Sequence, residues 1–222
     1  MTAFDETEIK EALQRSFASA VNFEEPYRHW MLGRFFPDDV AADLQNVEFP
    51  VAELRGVSGK RELHNDTRHY VDKANRARLS SFAAIANAFQ SADTARAIEA
   101  FTGAKLDGTF LRIEYAQDVT GFWLEPHTDL GVKRLTILIY LSNSENHDDL
   151  GTDIYDSEKQ WFKRAPFTHN GAMMFVPGDN TYHGFENRNI EGVRKSLILN
   201  YVTEDWRDRE QLAFPEATVK TA

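Results

Sequence analysis

Four residues in the second half of the chain have the types and spacing that chemistry needs. His127 and Asp129 stand two apart in "EPHTDLGVKRLTILIYLS", directly ahead of an apolar run that reads as a strand. Side chains at i and i+2 on a strand share a face, so an imidazole and a carboxylate project together, with Thr128 opposite. Such a pair can hold one side of a metal ion. A further histidine from a later strand or turn would complete a facial triad of two histidines and one carboxylate, the set that suits non-haem Fe(II) and leaves positions open for other ligands. His183 is the best placed: it follows the turn-forming "PGDN" and precedes the strand "VRKSLILNYV", which carries Arg194.

Strand alternation gives Arg194 its interest. In 194–201 one face carries Arg194, Ser196, Ile198 and Asn200, and the reverse carries Leu197, Leu199 and Tyr201 behind Lys195. In 134–141 one face carries Arg134, Thr136, Leu138 and Tyr140, and the other is wholly apolar. The apolar faces are expected to pack on helices or a second sheet, and the mixed faces to line a polar lumen. An arginine facing that lumen keeps its proton, and a buried cation without a partner costs roughly 3–5 kcal/mol. Something anionic should therefore meet Arg194, a bound carboxylate in the first place; the alternatives are an acid from another strand or a side chain that reaches solvent.

These residues need a scaffold. At 222 residues the chain suits a single domain. The first half reads as helices: "DETEIKEALQRSFASA", "PDDVAADLQNV", "RARLSSFAAIANAFQ" and "SADTARAIEAFTG", the last capped by Ser91 and stopped by Gly103. After Gly108 short β-rich runs alternate with turns, including "TFLRIEY", "FWLEPHTD", "RLTILIYL", "GAMMFV" and "RKSLILNYV". The expectation is an α+β fold with a mainly β core. Residues 1–107 would form a mostly helical support packed on one outer face, 108–205 a jelly-roll barrel, and 206–222 a C-terminal tail.

Composition narrows the function classes. Lys plus Arg is 25 against 35 for Asp plus Glu, a net charge of −10 that disfavours nucleic acid and anionic membranes. With no cysteine there is no thiolate chemistry, so metal must be held by His and carboxylate. The start carries acids where a secretory signal would carry bases, and no apolar run approaches the ~18 residues of a membrane span, so a cytoplasmic protein is expected. The G-x-S-x-G, G-x-G-x-x-G, Walker and H-E-x-x-H motifs are missing. A second HxD in "HNDTRH", His64 and Asp66 with His69 nearby, lacks strand alternation and reads as a solvated loop or a lid. His147, in the acidic "SENHDDLGTD", reads as a solvated turn.

The stretches "HTD" (127–129), "RLTILIYLS" (134–142), "GAMMFVP" (171–177), "YHG" (182–184) and "GVRKSLILNY" (192–201) together resemble the 2-oxoglutarate- and Fe(II)-dependent oxygenases, in particular their prolyl-hydroxylase-like branch. "YRHWMLGRFFPDDVAADL" resembles the strand-and-helix opening of such domains. The resemblance implies a double-stranded β-helix. It implies Fe(II) on His127, Asp129 and His183, and 2-oxoglutarate with its distal carboxylate on Arg194 and Tyr140. Ser196 matches an Arg-x-Ser pairing, and Tyr115 stands where another cosubstrate tyrosine can occur. With O2 as second cosubstrate, the implied reaction is hydroxylation of an unactivated C–H bond with release of succinate and CO2. The substrate is expected to be a small molecule, with an anionic metabolite suggested by Arg68, Arg76, Arg78 and Arg164 around the proposed mouth. A peptide or protein side chain is the alternative, and a non-enzymatic jelly-roll binding domain is the competing class. Oligomeric state is open.

Overall fold

The computed structural model describes residues 4–51, 54, 59–60, 68–129, 131–144 and 146–221. His64 and Asp66 lie outside them. Among the described residues eleven strands form two antiparallel sheets. The strands are β1 (Val21–Phe23), β2 (His29–Leu32), β3 (Arg68–Tyr70), β4 (Phe110–Asp118), β5 (Leu124–His127), β6 (Lys133–Tyr140), β7 (Asp153–Tyr155), β8 (Trp161–Arg164), β9 (Ala172–Phe175), β10 (His183–Phe185) and β11 (Arg194–Val202). The larger sheet runs β1-β2-β9-β6-β11-β4-β3 and the smaller β5-β10-β7-β8, a jelly-roll core.

The helices are α1 (Glu6–Ala18), α2 (Asp38–Asn46), α3 (Lys73–Arg78), α4 (Ser80–Gln90) and α5 (Ala92–Thr102). They cover the outer face of the larger sheet, as the unbroken apolar faces of β6 and β11 require. Leu135, Ile137, Ile139, Leu197 and Leu199 form one core with Ile9, Leu13, Leu44, Phe82, Ile85 and Phe89. The last carbonyls of a helix have no partner within it. Tyr201 donates its hydroxyl to Phe89 O at 2.7 Å in the last turn of α4, and Lys195 Nζ reaches Gln45 O and Val47 O at 2.8 and 3.0 Å at the end of α2. Ser91 caps α5 through Thr94 N, and Gly103 ends it at φ +81°, where a glycine carries no Cβ penalty. None of these helices is long and apolar enough to cross a membrane.

The structure departs from the sequence reading in one helix and adds detail at both ends of the chain. The helix expected over 76–90 breaks at Leu79, whose φ −115°, ψ 114° is extended; α3 buries nothing, whereas α4 buries seven residues. The first half supplies strands as well as helices: β1, β2 and β3 hold three of the seven places in the larger sheet. The C-terminal segment packs back on the sheet: Ala213 N bonds Leu111 O (2.9 Å), Val219 N bonds Thr109 O (2.7 Å), and Leu212 and Val219 are buried.

Candidate metal centre and its cavity

β5 and β10 pair antiparallel in the smaller sheet with His183 opposite His127, which brings the two imidazoles to 4.3 Å between ring centroids. Asp129 follows β5 by two residues and closes the group. The ligand atoms of His127, Asp129 and His183 all lie within 4.8 Å of one another, the one cluster of its kind among the described residues. His183 Nδ1 is 3.0 Å from Thr181 O and His127 Nδ1 is 2.9 Å from Glu125 O. A carbonyl accepts only from N–H, so each ring carries its proton on Nδ1 and turns an unprotonated Nε2 inward. The Nε2 atoms stand 3.9 Å (His127) and 3.7 Å (His183) from the Asp129 oxygens. Burial, and secondarily the neighbouring His127, lowers the His183 pKa to about 3, so the ring is a neutral donor at physiological pH.

Asp129 is fixed from behind. Lys133 Nζ donates to Oδ1 at 2.7 Å, and Thr136 Oγ1 donates to Oδ2 at 2.7 Å while accepting from Asn200 Nδ2 at 3.0 Å. Such partners orient a metal-binding carboxylate and commonly affect affinity 10–100-fold. Lys133 was not anticipated. A shift in register opposite Tyr201 and Val202 places it in the lumen and leaves Arg134 exposed, so the alternation expected for 134–141 fails at Arg134 alone, while Thr136, Leu138 and Tyr140 line the cavity as expected.

The triad sits between two spaces. Inward lies a cavity of about 60 Å³, whose lining includes Tyr140, Arg194, Ser196, Asp118 and Arg68. Outward lies a groove of about 350 Å³ that reaches His127 and Asp129 past Leu124, Val132 and Trp206. Arg194 is boxed by Phe185, Phe167 and Tyr140, with ring centroids 4.7, 5.4 and 5.9 Å from its guanidinium carbon. Its charge meets an acid from another strand: Nη1 is 2.6 Å from Asp118 Oδ2, and Nε donates to Leu150 O at 2.7 Å. Burial raises the Tyr140 pKa, which keeps its hydroxyl a donor; that hydroxyl bonds Thr152 Oγ1 at 3.0 Å.

Tyr115 is elsewhere. On β4 it shares parity with Leu111 and Ile113, so it points to the helices and donates to Leu44 O at 2.9 Å, away from the cavity that Glu114 and Asp118 line. Of the four arginines proposed for the mouth, Arg68 alone lines the cavity; Arg76 and Arg78 lie over Phe214 and Phe49, and Arg164 pairs with Asp153, Asp149 and Glu186. His69 stacks on Phe49 at 4.0 Å between ring centroids, and His147, expected in a solvated turn, is buried with Nε2 2.7 Å from Glu191 O.

No protein-family model matches the chain, and no curated protein matches it in sequence. Solved structures do match in fold. A prolyl hydroxylase from Trichoplax adhaerens, solved with a hypoxia-inducible-factor peptide fragment, aligns over 90% of this chain and 89% of its own at 14% identity and TM-score 0.56. A Pseudomonas putida prolyl-4-hydroxylase covers 92% and 98% at 12% identity and TM-score 0.54. An oxidoreductase of the 2OG-Fe(II) oxygenase family from Burkholderia pseudomallei covers 90% and 92% at 14% identity and TM-score 0.53. The chain shares their fold along nearly its whole length.

Proposed function

We propose that this protein is a non-haem Fe(II)- and 2-oxoglutarate-dependent dioxygenase that hydroxylates a small-molecule substrate. The observation that carries the reading is the triad itself: two imidazoles with unprotonated Nε2 atoms and a buttressed carboxylate, at the junction of an inner cavity and an outer groove. The donor set fits Fe(II). His127, Asp129 and His183 would hold the metal, and Arg194 with Tyr140 and Ser196 would hold the distal carboxylate of 2-oxoglutarate. When bound there, the metal and 2-oxoglutarate would supply O2-dependent oxidising chemistry in which one oxygen atom would end in succinate, with loss of CO2, and the other in the substrate hydroxyl.

The chain's own residues do the positioning. Lys133 and Thr136 hold Asp129, Thr181 O and Glu125 O fix the ring protons, and the aromatic walls around Arg194 keep water from a reactive site. A groove of about 350 Å³ suits a small molecule. A peptide side chain is the second reading, favoured by the shared fold of the Trichoplax adhaerens enzyme, which was solved with a peptide.

Anaerobic addition of Fe(II) and then 2-oxoglutarate should produce a weak visible charge-transfer band in the wild type. Arg194→Lys keeps the charge but loses the planar fork, so it should weaken 2-oxoglutarate binding by about one to two decades with Fe(II) affinity nearly intact. A protein that binds Fe(II) and gives no band with 2-oxoglutarate would be a metal site of another kind. Succinate release scored against metabolites and against peptides then separates the two substrate readings.

A further inference from the structure

The clamp proposed for 2-oxoglutarate is already engaged by the protein. Arg194 and Asp118 face each other in register across β11 and β4, with Nη1 and Oδ2 2.6 Å apart. The second oxygen of Asp118 lies 2.6 Å from Arg68 Nη1, and Arg68 Nε is 2.9 Å from Glu114 Oε1. All four side chains are buried and line the one cavity. Asp118 thus gives one oxygen to each of two guanidiniums.

A guanidinium binds a carboxylate best through two parallel N–H groups. Two nitrogens of Arg194 are engaged within the protein: Nε donates to Leu150 O, and Nη1 donates to Asp118. A second carboxylate arriving at the Nη1–Nη2 edge meets Asp118 already on Nη1 and competes with its charge for the same guanidinium. The Leu150 carbonyl belongs to the backbone. The Asp118 side chain can rotate, and it has another guanidinium at hand.

We infer that Asp118 is an internal counter-ion which the incoming carboxylate displaces from Arg194, and that Arg68 takes it over. This rests on the reading of Arg194 as the cosubstrate arginine. Binding is then an exchange: Arg194 passes from an internal carboxylate to an external one, and Asp118 stays paired. Without Arg68 the exchange would strand a buried carboxylate, which is strongly unfavourable. Asp118 and Arg68 are positioning residues in this scheme, and they set the affinity in opposite directions.

The test is calorimetric titration of 2-oxoglutarate into the Mn(II)-loaded protein, with Mn(II) affinity and melting temperature recorded for each variant. Asp118→Asn keeps the shape and removes the competing charge, so 2-oxoglutarate should bind about tenfold more tightly or better. Arg68→Met removes the residue that receives Asp118, so binding should weaken by a similar factor, and Arg68→Lys should fall between Arg68→Met and wild type. A merely structural ion pair would weaken binding in both variants alike. Weaker binding in Asp118→Asn, or unchanged binding in Arg68→Met, overturns the exchange. Should Asp118→Asn fail to fold, the Arg68 pair decides. A wild type that does not bind 2-oxoglutarate overturns the Arg194 reading itself, whereas a wild type that binds without opposed shifts overturns the exchange alone.

Discussion

Leu197, Leu199 and Tyr201 point from β11 into the helices, while Arg194, Ser196 and Asn200 on the same strand point into the lumen. The same division runs through β4, where Leu111, Ile113 and Tyr115 face outward and Arg112, Glu114 and Asp118 inward. On the outer face Tyr115, Tyr201, Lys195 and Gln117 carry the polar atoms: the first three donate to carbonyls of α2 and α4, and Gln117 to Phe49 O and Pro50 O. On the inner face buried charges pair with one another. One face gains its stability from apolar area. The other holds charges whose pairing returns little net stability and fixes geometry.

The sharpest way to break that contrast is to truncate one residue on each side. His183→Ala removes one of three proposed ligands, so metal affinity should fall by well over the ~100-fold expected for a supporting residue, with the fold retained. Ile137→Ala, fully buried on the helix side, should cost about 2–5 kcal/mol in urea unfolding and leave metal affinity of the folded fraction unchanged. If Ile137→Ala lost the metal site while folded, or His183→Ala unfolded the protein, the two faces would not be separable.

Acid should act through the inner face. Burial lowers the His183 pKa to about 3 and the His29 pKa to about 4; His29 Nε2 is buried with no hydrogen bond among the described residues, and its Nδ1 is 2.7 Å from Tyr27 O. Above pH ~6.5 both rings are neutral in folded and unfolded chains, and they contribute no slope. Between there and their folded pKa values only the unfolded chain takes up the protons, so stability falls with pH, by up to about 1.4 kcal/mol per unit for each histidine. Urea titrations of metal-free protein at pH 7.5 and 5 should show this loss. His29→Phe should flatten it, and Ile137→Ala should leave the slope as in wild type.

The two faces were unequally legible in the sequence. The outer face announced itself because Leu135, Ile137, Ile139, Leu197 and Leu199 keep strict alternation, and that alternation also sets the parity of Thr136, Tyr140, Arg194 and Ser196. Asp118 could have been found the same way, since it shares parity with Arg112 and Glu114 in a strand that runs on past Tyr115. Tyr115 itself was misplaced by a likeness to other proteins that its own parity contradicts. Lys133 left no local signal: its inward turn depends on a register shift against β11, a property of the pairing. Arg68 lies in a strand of three residues, too short to show a period.

Three tyrosines provide the smallest and most discriminating comparison, because each loses only an oxygen. Tyr115→Phe removes an outer-face bond to Leu44 O, so it should cost ~0.5–1.5 kcal/mol of stability and leave 2-oxoglutarate affinity unchanged. Tyr140→Phe removes a lumen donor and should weaken 2-oxoglutarate binding several-fold, less than Arg194→Lys, because a neutral donor is lost and not a charged one. Tyr27 packs with the lumen cluster, and its buried hydroxyl has no hydrogen bond among the described residues. Tyr27→Phe should therefore raise stability, by up to about 1 kcal/mol, since it deletes a buried, unsatisfied polar group. Urea unfolding and 2-oxoglutarate titration on the three variants read both axes. A loss of cosubstrate affinity in Tyr115→Phe, or its absence in Tyr140→Phe, would mean that strand parity does not divide the work between the faces.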